Sequence, residues 1–182
     1  MNDNLADNEP WVRAALERYE GPLGRYAARI VGGADRAADV VQETFLRLCS
    51  AASPPDAERL GAWLFKVCRN IALDVLRKEN RMNPWTETLE QTRASPDVNP
   101  ADRAERREAC SAVLRALDDL GANQQEVVRL KFQNGFSYRQ IAEITGLSVS
   151  NVGFLIHTAI QNLRRRFGLN GQPGVLPQGA SR

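Results

Sequence analysis

The sequence predicts an all-α protein of two small helical domains joined by a flexible linker, the C-terminal one a helix-turn-helix. Three observations carry this expectation. Apolar residues recur at i, i+3, i+4 and i+7 instead of alternating, which is the pattern of helices packed along one stripe. Proline, threonine, serine and acidic residues crowd into residues 81–105 and interrupt the period as a linker does. Near the C-terminus, capping residues and a glycine fall at helix-turn-helix offsets.

Residues 1–10 hold three acids and no base; they are expected to be disordered and are unlike the basic start of a secretory leader. A first helix is expected over residues 11–31, with Leu16, Tyr19, Leu23, Tyr26, Ala27 and Ile30 on its inner stripe and Gly32-Gly33 as its end. A second follows, with Ala37, Val40, Val41, Thr44, Phe45 and Leu48 inward and Asp35, Arg36, Asp39, Gln42, Glu43 and Arg47 outward. The stretch from Ser50 to Asp56 contains Pro54-Pro55 and cannot continue a helix. A third helix, from about Leu60 to Asn80, carries the stripe Leu64, Val67, Cys68, Ile71, Ala72 and Val75. Three such stripes facing one another make residues 11–80 one compact domain.

Residues 81–105 contain Pro84, Pro96 and Pro100, with Trp85, Leu89 and Val98 as the sizeable apolar groups after Met82. These 25 residues span up to ~80 Å when extended and about 27 Å as a flexible coil. The second domain, 106–167, opens on the stripe Cys110, Val113, Leu117 and Leu120. Capping boxes at Asn123-Gln124-Gln125-Glu126 and Ser137-Tyr138-Arg139-Gln140 then predict two helix starts. Residues 168–182, with four Gly and two Pro, are expected to be a flexible tail.

Composition narrows the function. The chain has 182 residues, 24 Lys+Arg, 22 Asp+Glu and one His. Its net charge of +2 hides an asymmetry: residues 1–80 are near balance (11 basic, 12 acidic), the linker is acidic (3 and 5), and residues 106–182 are basic (10 and 5). A basic C-terminal half suits nucleic acid. No apolar run approaches the ~18 residues of a membrane span, so a cytoplasmic protein without membrane insertion is expected. Cys49, Cys68 and Cys110 fit neither a disulfide framework nor a zinc knuckle and are expected to be reduced and mostly buried. With one His and no nucleophile or phosphate-loop motif, no metal, no cofactor and no enzymatic activity are expected.

The segment from Ser137 to Arg166 reads cap, short helix, glycine turn, cap, longer helix. Ala142, Gly146 and Val152 stand where a helix-turn-helix needs a small residue, a positive-φ turn and an inward apolar group. The longer helix has Val152, Leu155, Ile156, Ala159, Ile160 and Leu163 inward, and Ser150, Asn151, Phe154, His157, Thr158 and Gln161 outward. Short polar side chains near its start suit base edges in the major groove, and Arg164-Arg165-Arg166 suit phosphates. A plain packing unit with a solvated face is the other reading. Phe154 is open to partial packing or to a base contact, and His157, with nothing to partner it, is no metal ligand.

In the first domain, Asp39, Gln42, Glu43 and Arg47 share an outer face near Phe45 and Leu46, either a solvated face or a docking surface. The third helix shows Lys66, Arg69, Asn70, Asp74, Arg77 and Lys78 outward, with Trp63 and Phe65 at its start. Basic residues interleaved with aromatics suit melted DNA, whose bases stack on rings. The alternatives are a core role for Trp63 and a local Asp74–Lys78 pair at i, i+4.

Taken together, these residues resemble a bacterial RNA polymerase sigma factor of the extracytoplasmic-function (ECF) class, from about Leu16 to Phe167. The segment from Asp39 to Leu46 is similar to the family's docking segment for the β′ clamp helices. The resemblance thus implies polymerase contacts by Asp39, Gln42, Glu43, Phe45 and Leu46. The segment from Trp63 to Arg77 is similar to the helix that reads the minus-ten element, implying DNA contacts by Trp63, Lys66, Arg69, Asn70, Asp74 and Arg77. In the family, the Ser50-to-Gly61 loop and Asn70 would hold a flipped base of the melted strand. The segments Phe136 to Ala142 and Val149 to Val152 are similar to the motif that reads the minus-thirty-five element. That implies contacts by Tyr138, Arg139, Ser148, Ser150, Asn151, Gly153, Phe154, His157, Thr158 and Arg164.

The implied function is non-enzymatic: binding core RNA polymerase through β and β′, directing it to promoter DNA and helping to melt the minus-ten element. The implied linker path runs toward the RNA exit, and the implied regulator is an anti-sigma factor that masks these faces. An autonomous helix-turn-helix regulator is the alternative, but it would usually dimerise, and no heptad seam is present, so a monomer is expected. One departure stands out. Where the family commonly has basic residues, this chain has Gly153-Phe154-Leu155 and Thr158-Ala159-Ile160, and each lost phosphate contact flattens the salt dependence of binding by about 0.9 in log–log slope.

Overall fold

The structure, a computed structural model, describes residues 9–51, 55–82 and 115–168. The expectations for the N-terminal residues, the linker, the C-terminal tail, Cys110, Val113 and the Ser53-Pro54 break fall outside these residues, wholly or in large part. Six helices stand among the described residues, with no strand: α1 Glu9–Val31, α2 Ala34–Cys49, α3 Ala57–Met82, α4 Ala122–Phe132, α5 Tyr138–Thr145 and α6 Val149–Arg166, preceded before α4 by a helical turn at 115–118. They belong to two packing units. The first combines α1–α3 with the segment Phe136–Ser148, which holds α5; the second contains the 115–118 turn, α4 and α6.

In the first unit α1, α2 and α3 pack against one another pairwise. α1 persists through Gly21, Pro22 and Gly24, although an interior proline alone costs a helix ~3 kcal/mol. Burial of Leu23, Tyr26, Ala27 and Val31 supplies the compensating term. Leu16 was expected inward but is exposed, and Ala15 is buried instead; a rotation of ~100° per residue carries Leu16 off the buried arc. At Gly61 of α3, an added Cβ would stand 3.1 Å from Tyr19 Oη, so glycine is what lets α1 lie this close. Arg36 near the start of α2 makes a forked ion pair with Glu79 near the end of α3, at 2.7 and 2.9 Å.

The buried stripe of α3 is Leu64, Cys68, Ile71 and Ala72, as its spacing predicts, and Phe65 joins it. Phe65 packs against Tyr26 in a tilted contact with ring centroids 5.2 Å apart and meets Phe136 edge-on at 5.0 Å. Phe136 immediately precedes the cap of α5, so this edge-to-face contact seats α5 on α3. Arg59 and Glu143 stand 3.8 Å apart between the same two helices. Cys68 is buried and its thiol is pushed up to about 12 by loss of solvent, Thr44 countering in part. It behaves as a small hydrophobe. Cys49 departs from the expected burial and is exposed.

Ser137 caps α5 as its sequence predicts: its hydroxyl accepts from Gln140 N–H, and its own N–H donates to Gln140 Oε1 at 2.9 Å. Gly146 ends the helix at φ +76°, a conformation in which a side chain is strained. Ser137→Ala is expected to lower stability by about 1 kcal/mol, read as a drop in the urea midpoint with an unchanged slope.

The second unit has a core of Leu117, Leu120, Val128 and Ala159, with Leu163 against it. The predicted Asn123 cap is not what starts α4. The helix begins at Ala122 after Gly121, with no side-chain cap. Buried Gln125 donates from Nε2 to the carbonyls of Asp118 and Leu120 at 3.0 and 2.9 Å and accepts from Arg129. These bonds tie α4 to the preceding turn and fix its start. Arg129 also pairs with Asp118 at 3.1 Å; burial lowers its pKa, and the carboxylate partly restores it.

Candidate nucleic-acid interface

Three exposed faces carry the side chains singled out in the sequence. On α2, Asp39, Gln42, Glu43 and Leu46 lie within about 100° of arc. Leu46 is 54% exposed, an apolar group held outward between polar ones, and Glu43 accepts from Arg47 Nε at 3.0 Å. Phe45 does not belong to this face: it is 6% exposed and part of the core. α2 is covered by both α1 and α3, so its buried arc is wide enough to take in Val41, Phe45 and Leu48.

On α3, Trp63, Lys66, Asn70, Asp74 and Arg77 fall at i, i+3, i+7, i+11 and i+14, one continuous stripe. Lys66, Asn70, Asp74 and Arg77 are exposed, and Trp63 is half-buried at the N-terminal end. Arg69, also half-buried, sits off the stripe toward the packed side and has an interaction of its own. Asp74 pairs with Arg77 at 2.9 Å, not with Lys78, which is exposed beside the stripe. Phe65, expected among the outward aromatics, is 1% exposed and packed on Tyr26 and Phe136. Trp63 is therefore the one aromatic of this helix start that remains at the surface.

On α6, Ser150, Phe154, His157, Gln161 and Arg164 share one stripe, with Asn151 and half-buried Thr158 along its edge. The buried line of Val152, Ile156 and Ala159 runs on the opposite side. Gln161 Nε2 lies within hydrogen-bond distance of His157 Nε2, at 2.9 Å. Thr158 gives its hydroxyl to the Phe154 carbonyl at 2.8 Å. Gly153 is half-buried beside the stripe. Gln161 and Arg165, expected at the surface from spacing but not among the contacts implied by the resemblance, are both exposed on or beside this face. In the first unit, Tyr138 and Arg139 occupy the exposed first turn of α5, and Ser148 is exposed in the turn after Gly146.

Among the described residues no group of three His, Cys, Asp or Glu side chains could hold a metal ion, and no helix is long and apolar enough to cross a membrane. The α3 and α6 stripes are instead suited to a polyanion with exposed bases: cations, amides and one ring at intervals of a helical turn.

Comparison with known proteins gives concordant results for both halves. Residues 15–82 match the Sigma-70 region 2 family and residues 110–163 the Sigma-70 region 4 family. The ECF RNA polymerase sigma factor SigL of Mycobacterium tuberculosis is 32% identical over 158 residues, covering 84% of this chain and 86% of SigL. EcfG, an ECF RNA polymerase sigma factor of Rhodopseudomonas palustris, is 31% identical over 177 residues, covering 94% and 89%. Among solved structures, the sigma factor RpoE of Bartonella quintana, crystallised with its anti-sigma factor NepR, has a similar fold. It superposes with a TM-score of 0.66 at 24% identity, over 87% of this chain and 97% of RpoE.

Proposed function

Since the chain belongs to the ECF class of RNA polymerase sigma factors, we propose that it binds core RNA polymerase, brings it to a defined set of promoters and helps to open them. The observation that carries this reading is the stripe on α3, where half-buried Trp63 and exposed Lys66, Asn70 and Arg77 stand one or two turns apart on a helix whose other side is locked in a core. Such a helix can hold a melted strand rigidly, with the ring for stacking, the amide for a base edge and the cations for phosphates. The α2 face around Leu46 docks on polymerase, and the α6 stripe reads the upstream promoter element. The polymerase performs the phosphodiester chemistry, and this chain supplies only recognition. RpoE was solved with its anti-sigma factor; an anti-sigma partner of this chain would act by covering the α2 face and the DNA-facing stripes.

The test is in vitro transcription with purified core RNA polymerase on a genomic promoter library, with and without the chain. Discrete new start sites establish the function and reveal both promoter elements. No new starts, together with specific DNA binding by the chain alone, would make it an autonomous regulator.

Asn70→Ala is expected to leave polymerase binding intact and to reduce promoter opening about tenfold or more, because base flipping costs a few kcal/mol that a base contact must offset. Permanganate reactivity of bubble thymines reports this directly. Wild-type reactivity would remove Asn70 from the base contacts.

A further inference from the structure

The exposed face of α6 offers an unusual chemistry. From Val149 to Leu163 the helix has no Lys, Arg, Asp or Glu. Its cations are confined to the last turn, where Arg166 is engaged with Asp119. In the middle of the uncharged stretch stands Phe154, 65% exposed and nearly opposite the buried Val152, Ile156 and Ala159. An exposed ring alone marks nothing; what singles this one out is its place at the centre of the uncharged outer stripe of α6. Its neighbours are arranged around it. Ser150 precedes it by a turn, His157 follows by a turn with its ring held by Gln161, and Thr158 commits its hydroxyl to the Phe154 carbonyl. Gly153, immediately before the ring, places no side chain beside it.

On the reading of α6 as the helix that enters the upstream promoter element, we infer that Phe154 determines specificity by packing its ring on the 5-methyl group of a thymine. The thymine methyl is the one apolar group that base edges present in the major groove. A phenyl ring can reward that group and no other. Opposite a G·C pair it would cover donors and acceptors without replacing their hydrogen bonds, which is costly. The lack of charge along 149–163 points the same way: without Lys or Arg this stretch gains no counterion-release affinity from phosphates, which leaves more of its contribution to contacts with base edges. The arginines of the final turn then anchor the helix to the backbone, and the ring selects the sequence.

The experiment uses holoenzyme reconstituted from core RNA polymerase and the full chain, on a promoter recovered from the start-site library. Each thymine of the upstream element is replaced in turn by uracil, which removes the methyl group alone. For wild type, one replacement is expected to weaken promoter binding about fourfold, the effect of a single buried methyl group. Holoenzyme carrying Phe154→Ala, a change at an exposed position, is expected to bind the thymine and uracil promoters equally, and both more weakly than wild type binds the thymine promoter. The inference is overturned if wild type tolerates every replacement, or if Phe154→Ala is as sensitive as wild type. It is likewise overturned if the variant binds both promoters more weakly by the same factor while wild type ignores the methyl, which would place the ring against protein. Discrete start sites without methyl dependence defeat this inference alone; no start sites defeat the functional reading first and the inference with it.

Discussion

Gln42→Ala combined with Leu46→Ala is expected to weaken binding to core RNA polymerase at least about 30-fold, the effect of losing one apolar anchor worth ~2 kcal/mol at the centre of an interface. Leu46 is the anchor: at 54% exposed it is the large apolar side chain of the α2 face, and Asp39, Gln42 and Glu43 surround it with polar rim. Neither substitution touches the core, which on this helix consists of Ala37, Val40, Val41, Thr44, Phe45 and Leu48. The melting temperature should therefore stay within about 2 °C of wild type, since surface changes of this kind are worth at most ~0.5 kcal/mol. Fluorescence anisotropy of labelled chain against core polymerase measures the affinity. Undiminished binding would take α2 out of the docking surface.

Phe65→Ala is the change expected to damage the fold most. The ring is 1% exposed and is clasped between Tyr26 and Phe136, so its removal leaves a cavity that rigid helices cannot close. Truncations of this kind cost about 3–5 kcal/mol, a large share of the ~5–15 kcal/mol that holds a domain together. Chemical denaturation followed by circular dichroism should show the loss. Phe154→Ala, the same truncation on an exposed ring, should leave the denaturation curve almost unmoved. Equal stability of the two variants would contradict the placement of Phe65.

The contrast between those two phenylalanines also shows how far the sequence could be read. Helical spacing revealed the stripes of α2, α3 and α6 because each has one packed side, and the Ser137–Gln140 box with Gly146 revealed α5 because caps and positive-φ turns are local chemistry. The width of a buried arc is not local. Spacing already put Phe45 inward, and only the resemblance put it among the contacts; Phe65 lies off the expected stripe of α3, and the neighbours that cover it from two directions draw it inward. Asn123 failed as a cap for a similar reason: the carbonyls of Asp118 and Leu120 attract Gln125, and this longer-range bonding outcompeted a plausible local motif. Spacing put Phe154 outward but left it open to partial packing; the line through Val152, Ile156 and Ala159 leaves it on the far side and largely exposed. Of the interface residues, the polar ones were recoverable from spacing alone. The aromatic ones were less so: spacing put Phe154 outward, where it stands, but Phe65 was expected outward too and is buried, because a ring serves a core and a binding surface equally well.

The seating of α5 on α3 through Phe136 and Phe65 has a bearing on how this protein can be taken apart. The first packing unit is discontinuous in the chain, since α5 arrives after α4 has been committed to the other unit. A fragment that stops after α3 would present the edge of Phe65 to solvent, and a fragment that starts at α4 would carry Phe136 without its seat. Cutting between the two family regions therefore makes two incomplete pieces, each with a bare aromatic that invites self-association. Biophysical work on the first unit is better served by grafting the segment Phe136–Ser148 onto the end of the three-helix portion than by truncation.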